Sequence, residues 1–278
     1  MTYLSLVKCL TEFGAAAPTH EAAELVRVLT GKPREWCIMH RDEALPSSID
    51  TAVIKRMNGI PLQYILGEAW FYGHRFIVSP DCLIPQPDTE HLVMLTLERI
   101  GSNANILDLC TGSGCIAVSV LKENTSASAT AVDISDKALS LAKRNAKLHE
   151  VYDRIIFIEA DILTADTGEI IKNADVIVSN PPYISTSVIA TLSAEVRCEP
   201  SIALDGGADG MIFYRRFIND LTKHMKQDAV MLLEIGYDQS EQIAELCRLQ
   251  RLNCRFHKDF GGNIRVAEIT RNNHSPQE

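Results

Sequence analysis

The chain is 278 residues long, 46% hydrophobic and 23% charged, which excludes wholesale disorder and a fibrous architecture. No apolar run approaches the roughly 20 residues of a membrane span, and Met1-Thr2-Tyr3-Leu4-Ser5 lacks the basic stretch and apolar core of an export signal. The net charge of −9 falls wholly in residues 76–278, with 19 Lys/Arg against 28 Asp/Glu, while residues 1–75 balance 8 against 8. A protein that grips nucleic acid through phosphates needs a basic face, so stable nucleic-acid binding is not expected.

Residues 1–57 read as short amphipathic helices. Tyr3, Leu6, Leu10 and Phe13 share one helical face, closed by Gly14. Thr19 is placed to cap a second helix carrying Ala22, Leu25 and Leu29 and ending at Gly31. Ser48 is placed to cap a third, with Ile49, Val53 and Met57 before Asn58-Gly59. These residues predict a small bundle without ligand-like clusters. Trp70–Val78 is aromatic and β-prone, with Gly67 and Gly73 as breaks, and predicts a hairpin. Pro80, Pro85 and Pro87 stiffen the loop that follows.

From residue 90 helix and strand alternate. A helix over 88–100 leads to a buried strand at 105–110. A helix over 114–122, a strand at 129–133 and a helix over 135–149 follow. Apolar strands are predicted at 155–158, 175–178 and 230–235, and shorter ones near 253–257 and 264–270. Such alternation predicts an α/β fold with a parallel sheet covered by helices on both faces. The tail 272–278 is expected to fray. The eight cysteines form no CxxC pair and read as reduced thiols, not bridges or metal ligands.

Two loops carry chemistry. Asp108-Leu109-Cys110-Thr111-Gly112-Ser113-Gly114 follows a strand and opens a helix, where glycines let a ligand approach the backbone. Asp133 ends the next strand about 20 residues on, the spacing at which a carboxylate reaches ribose hydroxyls. Together they point to an adenosine-containing ligand. Asn180-Pro181-Pro182-Tyr183 follows the strand at 175–178 and reaches the same sheet edge. Its prolines remove two N–H donors and leave carbonyl acceptors; Asn180 adds a side-chain carbonyl and Tyr183 a flat ring. That combination suits a planar NH₂ group, either a carboxamide or the exocyclic amine of a base.

Taken together, Asp108–Gly114, Asp133 and Asn180–Tyr183 resemble the class I S-adenosylmethionine-dependent methyltransferases. More narrowly the chain resembles the HemK-type release factor N5-glutamine methyltransferases. Pro61–Gly67, Phe71-Tyr72-Gly73, Leu83–Glu90, Glu195–Pro200 and Leu204–Gly210 are similar to stretches of that family. The resemblance implies a Rossmann-like domain with a mostly parallel seven-stranded sheet over residues 88–278. Before it would lie a helical substrate-docking domain at 1–66 and a hairpin linker at 67–87. It implies S-adenosylmethionine as cofactor, held by Cys110, Thr111, Gly112, Ser113, Gly114, Asp133, Asp161, Ile162 and Asn180. It also implies catalysis by Asn180, Pro181 and Tyr183, with Pro182 joining them at the substrate.

The implied partners are peptide chain release factors in the cytoplasm, with no metal and no membrane; a monomer is expected. Three positions depart from the family pattern: Gln86 stands where Arg is usual, Cys110 where glycine is commoner, and Ile162 where an aromatic often follows the acid. The competing readings are a ribosomal-protein glutamine methyltransferase, an adenine-N6 nucleic-acid methyltransferase and a non-enzymatic nucleotide-binding module.

Overall fold

The computed structural model describes residues 1–272; the tail read as frayed lies outside them from residue 273 onward. The bundle comprises α1 (Tyr3–Phe13), α2 (Pro18–Thr30), α3 (Arg34–Met39), α4 (Ser47–Met57) and α5 (Leu62–Leu66). A capping box between Thr2 and Ser5 starts α1, and Gly14 ends it in the left-handed conformation. Neither Thr19 nor Ser48 acts as a cap. α2 starts one residue earlier on Pro18, whose fixed φ suits a first helical turn, and α4 starts at Ser47 after Pro46. Leu6, Leu10, Leu25, Val26 and Ile49 fill the bundle core.

The hairpin pairs β1 (Glu68–Phe71) with β2 (His74–Ile77) across Tyr72-Gly73, both at positive φ, as a tight two-residue turn requires. Phe71 and Phe76 are fully buried in the core of the main sheet. Asn145 pins the hairpin: its Oδ1 accepts from Ile77 N at 2.7 Å, and its Nδ2 donates to Ile77 O and Ser113 O.

The α/β part runs α6 (Glu90–Arg99), β3 (Asn105–Leu109), α7 (Cys115–Glu123), β4 (Ser128–Asp133), α8 (Asp136–Leu148), β5 (Ile155–Glu159), α9 (Gly168–Asn173), β6 (Val176–Ser179), α10 (Thr186–Ile189), α11 (Ile212–Asn219), β7 (Val230–Glu234), α12 (Ser240–Leu249), β8 (Leu252–Lys258) and β9 (Ile264–Arg271). The seven strands lie in the order β5-β4-β3-β6-β7-β9-β8. The first five are parallel, and β9 runs antiparallel between β7 and β8. Alternate strand residues face two cores. Ile106, Val176, Val178 and Leu232 pack with α6 and α7, while Leu107, Ile177, Met231 and Leu233 pack with α11 and α12.

From β3 the chain winds outward through β4 and β5, then returns to the other side of β3 with β6. The order therefore reverses between β3 and β6, and ligands of open α/β sheets bind outside the strand ends at such a reversal. In register, Leu109 lies opposite Ser179, and Ser179 Oγ donates to Leu109 O at 2.6 Å. Cys110 and Asn180 thus leave adjacent strands side by side.

Candidate active site

The glycine loop grows directly out of β3. Asp108 is fully buried; its Oδ2 accepts from Thr111 Oγ1 at 2.6 Å and from Ala117 N at 3.3 Å. Its Oδ1 has no partner among the described residues, and burial pushes its carboxyl up to about 7. Asp108 therefore shapes the loop from beneath. Cys110, Gly112 and Gly114 all have positive φ, so the chain curls back before α7. Cys110 adopts φ 58°, a conformation that costs a residue with a Cβ about 1–2 kcal/mol, which explains why glycine suits this position. A Cβ on Gly114 would lie 3.1 Å from Ala142 Cβ, so Gly114 permits close packing on α8 and does not line the cavity.

Asp133 braces this loop from the next strand. Its Oδ2 accepts from Gly112 N at 2.8 Å and its Oδ1 from Ser135 N at 3.0 Å. Burial raises its carboxyl above the ordinary range against the pull of those bonds. Asp161 closes a turn, accepting from Leu163 N and Thr164 Oγ1. Cys110, Thr111, Gly112, Ser113, Asp133, Asp161, Ile162, Asn180 and Pro182 all border one cavity of about 470 Å³. Residues 81–86, Ile212 and Phe213 form further parts of its lining, which sequence reasoning did not assign to the cofactor.

A second cavity of about 320 Å³ holds Asn180, Pro181 and Tyr183 with Asp88, Glu199 and Glu234. Asn180 and Gln86 border both cavities, so the Asn-Pro-Pro-Tyr loop stands at their junction. Gln86 Nε2 donates to Ile84 O at 3.0 Å, within its own segment. The nearby guanidinium is Arg265, paired with Asp88 at 3.1 Å and Asp259 at 3.3 Å. Burial pushes the Tyr183 phenol up to about 12 and the Glu199 carboxyl up to about 7, while Glu199 Oε2 accepts from Ile84 N at 3.0 Å.

Three supports were missed in the sequence. Thr89 and Glu234 stand behind Asn180: Asn180 Nδ2 donates to Thr89 Oγ1 at 3.0 Å, and Thr89 Oγ1 donates to Glu234 Oε2 at 2.7 Å. Buried Gln239 donates to both Tyr183 O and Gly210 O at 3.1 Å. The signal for Glu234 was a single carboxylate ending the apolar strand Val230–Glu234. Gly206 lets the 204–210 loop press on the same backbone, since a Cβ there would sit 2.8 Å from Tyr183 Cα and 2.9 Å from Pro182 O.

The first cavity fits a cofactor made of an adenosine and an aminoacid chain. Its volume lies in the usual range of small-molecule sites. Gly112 leaves open the space a Cβ would occupy, Asp133 ends β4 and Asp161 follows β5 beside it, and Ile162, Ile134 and Phe213 give apolar surface. A Rossmann-like sheet with a glycine loop, a strand-end acid and Asn-Pro-Pro-Tyr at the order reversal defines a class I methyltransferase. Such an enzyme uses a methyl donor of the S-adenosylmethionine type.

Residues 88–202 match the family model for the methyltransferase small domain, and residues 5–67 match the PrmC N-terminal domain. The chain is 43% identical over 197 residues to the release factor glutamine methyltransferase of Bacillus subtilis (strain 168), covering 68% of this chain and 67% of that one. It is 42% identical to the same-named protein of Streptococcus pneumoniae, covering 75% and 74%. The hMettl16 catalytic domain shares the fold, with TM-score 0.59 and 17% identity over 82% of this chain and 83% of that one. The chain belongs to the release factor glutamine methyltransferase family. Among the described residues no helix is long and apolar enough to cross a membrane.

Proposed function

We propose that the chain transfers a methyl group from S-adenosylmethionine to the side-chain amide nitrogen of the glutamine in the Gly-Gly-Gln motif of peptide chain release factors, in the cytoplasm. The observation that carries this reading is Asn180 at the junction of a cofactor-sized cavity and a smaller one bordered by Pro181 and Tyr183. S-adenosylmethionine, when bound, supplies a methyl group made electrophilic by its sulfonium. The Cys110–Ser113 backbone holds its aminoacid part, Asp133 the ribose, and Asp161 with Ile162 the adenine end.

In the second cavity, Asn180 Oδ1 and the Pro181 carbonyl accept the two N–H bonds of the substrate amide. Delocalisation leaves an amide nitrogen weakly nucleophilic, so aiming its lone pair and offsetting the positive charge that grows on it are the main contributions. The Tyr183 ring packs on the amide plane. We further propose the division 1–66, 67–87 and 88–278, with the bundle docking the release factor. Neither cavity is lined by any residue before Asp81, which supports a role outside cofactor binding.

Tritiated methyl transfer to a purified release factor, a large-subunit ribosomal protein and DNA, run side by side, tests the substrate. Label is expected in the release factor alone and lost when its motif glutamine becomes alanine; label in DNA or the ribosomal protein instead would reject this reading. For the cofactor, Asp133→Ala is expected to weaken S-adenosylmethionine binding by about 1.5–3 kcal/mol, the worth of charged hydrogen bonds. The loop loses its brace on Gly112 N in the same variant. Unchanged affinity by calorimetry would remove Asp133 from the site.

A further inference from the structure

Asn180 ends a chain of three polar side chains from three elements, the two behind it buried. Glu234 ends β7 and is 2% exposed, Thr89 precedes α6 and is 2% exposed, and Asn180 follows β6. The contacts are 2.7 Å from Thr89 Oγ1 to Glu234 Oε2 and 3.0 Å from Asn180 Nδ2 to Thr89 Oγ1. Polarity along this chain follows from donor and acceptor counting. An ionised carboxylate only accepts, so the Thr89 proton points at Glu234, and the hydroxyl lone pair is left to accept from Asn180 Nδ2. The Asn180 amide then has its nitrogen turned inward and its Oδ1 free. A neutral Glu234 both donates and accepts, so it no longer fixes the polarity: where it donates, Thr89 gives its proton to Asn180 Oδ1 and the amide is satisfied the other way round, with its NH₂ outward.

We propose that Glu234, acting through the Thr89 hydroxyl and on the Asn180 amide directly, fixes which end of that amide faces the substrate cavity, and is a positioning residue for methyl transfer. This rests on the reading that Asn180 Oδ1 accepts from the substrate amide. With the amide reversed, an NH₂ group meets an NH₂ group and the substrate nitrogen is not aligned. Only the ionised form of Glu234 holds the amide in the productive polarity, so transfer rises with pH as that carboxyl loses its proton.

The groups facing Glu234 set where this happens. Burial raises its carboxyl to about 7; hydrogen bonds from Thr89 and Asn180 and the charge of Arg265 on β9 favour the anion, and Asp88 opposes it. The Tyr183 phenol, the Tyr214 phenol on α11 and the Cys115 thiol on α7 complete its titratable surroundings. Tyr214 Oη donates to the Glu234 backbone carbonyl at 2.8 Å, so it anchors the strand end and leaves the carboxylate to Thr89 and Asn180.

The test uses the full chain, a purified release factor and tritiated S-adenosylmethionine in single turnover from pH 5.5 to 9. The wild type is expected to show a rate that climbs to a plateau through about pH 7, where the Glu234 carboxyl titrates. A glutamine at 234 supports either polarity, so Glu234→Gln is expected to lose about 10-fold at the plateau and to lose the acidic limb. Thr89→Val removes the hydroxyl that orients the amide and is expected to lose about 30-fold, with Thr89→Ser within about 3-fold of wild type. Cofactor affinity by calorimetry stays within about 3-fold throughout, because Asp133 and the glycine loop are untouched.

Glu199 also borders this cavity with its carboxyl at about 7, so Glu199→Gln is run in parallel and is expected to keep the limb. The side-chain NH₂ resonances of Asn180 in the ligand-free protein give a readout independent of turnover: they are expected to titrate in the wild type and not in Glu234→Gln. A wild-type rate and limb in Glu234→Gln would overturn the proposal, as would a limb lost in Glu199→Gln instead, or a Thr89→Val defect confined to cofactor affinity. If Asn180→Ala is inactive in that same experiment, the amide reading stands and only the role of Glu234 falls. An active Asn180→Ala protein removes the reading itself.

Discussion

Asn180→Ala is expected to lower single-turnover methyl transfer by about 100-fold or more while cofactor affinity stays within about 3-fold. The size follows from what the side chain does in the proposed mechanism. Its Oδ1 is a fixed acceptor aimed where positive charge develops, and such a group contributes more in the transition state than in the ground state. Alanine also leaves Thr89 Oγ1 without the donor it meets at 3.0 Å in a buried place. The cofactor keeps Asp133 and the glycine loop, so the loss falls on the chemical step. Asn180→Asp sharpens the test. It retains an acceptor oxygen but cannot donate to Thr89, and it places a second carboxylate beside the hydroxyl already bonded to Glu234. That variant is expected to be impaired, though less completely than alanine. Near-normal transfer by a folded Asn180→Ala protein would sink the role assigned to this side chain.

How much of this was legible in the sequence depends on the distance between partners along the chain. The glycine loop and the Asn-Pro-Pro-Tyr loop each follow an apolar strand, so strand-end placement was readable from local pattern alone. The alternating pattern put both at one sheet edge; their direct adjacency comes from the pairing of β3 with β6, which the strand order alone reveals. Thr89 and Glu234 are 145 positions apart and meet only through the fold; neither residue type at either place announces the other. α11 and α12 escaped reading because no chemistry-bearing motif drew attention to 212–219 or 240–249, although both are amphipathic. Thr19 and Ser48 misled because a good capping residue type lay one position inside the helix, and the neighbouring proline set the start. At Cys110 the residue type pointed to a glycine position, and only the backbone showed why: φ is 58° there.

The second large effect concerns Arg56, which the sequence left as one more charge on a bundle helix. Its side chain is 5% exposed and reaches two carboxylates. Nε donates to Glu21 Oε2 at 2.8 Å inside the bundle, and Nη1 donates to Glu195 Oε1 at 2.8 Å in the segment after the Asn-Pro-Pro-Tyr loop. Arg56→Ala leaves Glu21, itself 8% exposed, as an uncompensated buried charge. Losing one partner of a buried pair typically costs about 3–5 kcal/mol, so the earliest urea transition should move to markedly lower denaturant. Trp36 lies in the bundle and reports that transition by fluorescence. The Glu195 arm is different, because Glu195 is 45% exposed and its pair adds at most about 1 kcal/mol. Its consequence is positional: it ties the bundle to the segment that carries Val196 and Glu199 into the second cavity. Glu195→Ala is therefore expected to leave stability within about 1 kcal/mol, and to raise KM for the release factor with little change in kcat. If Arg56→Ala and Glu195→Ala shift the melting transition equally, the buried Glu21 pair is not the dominant partner and the division of labour argued for this arginine fails.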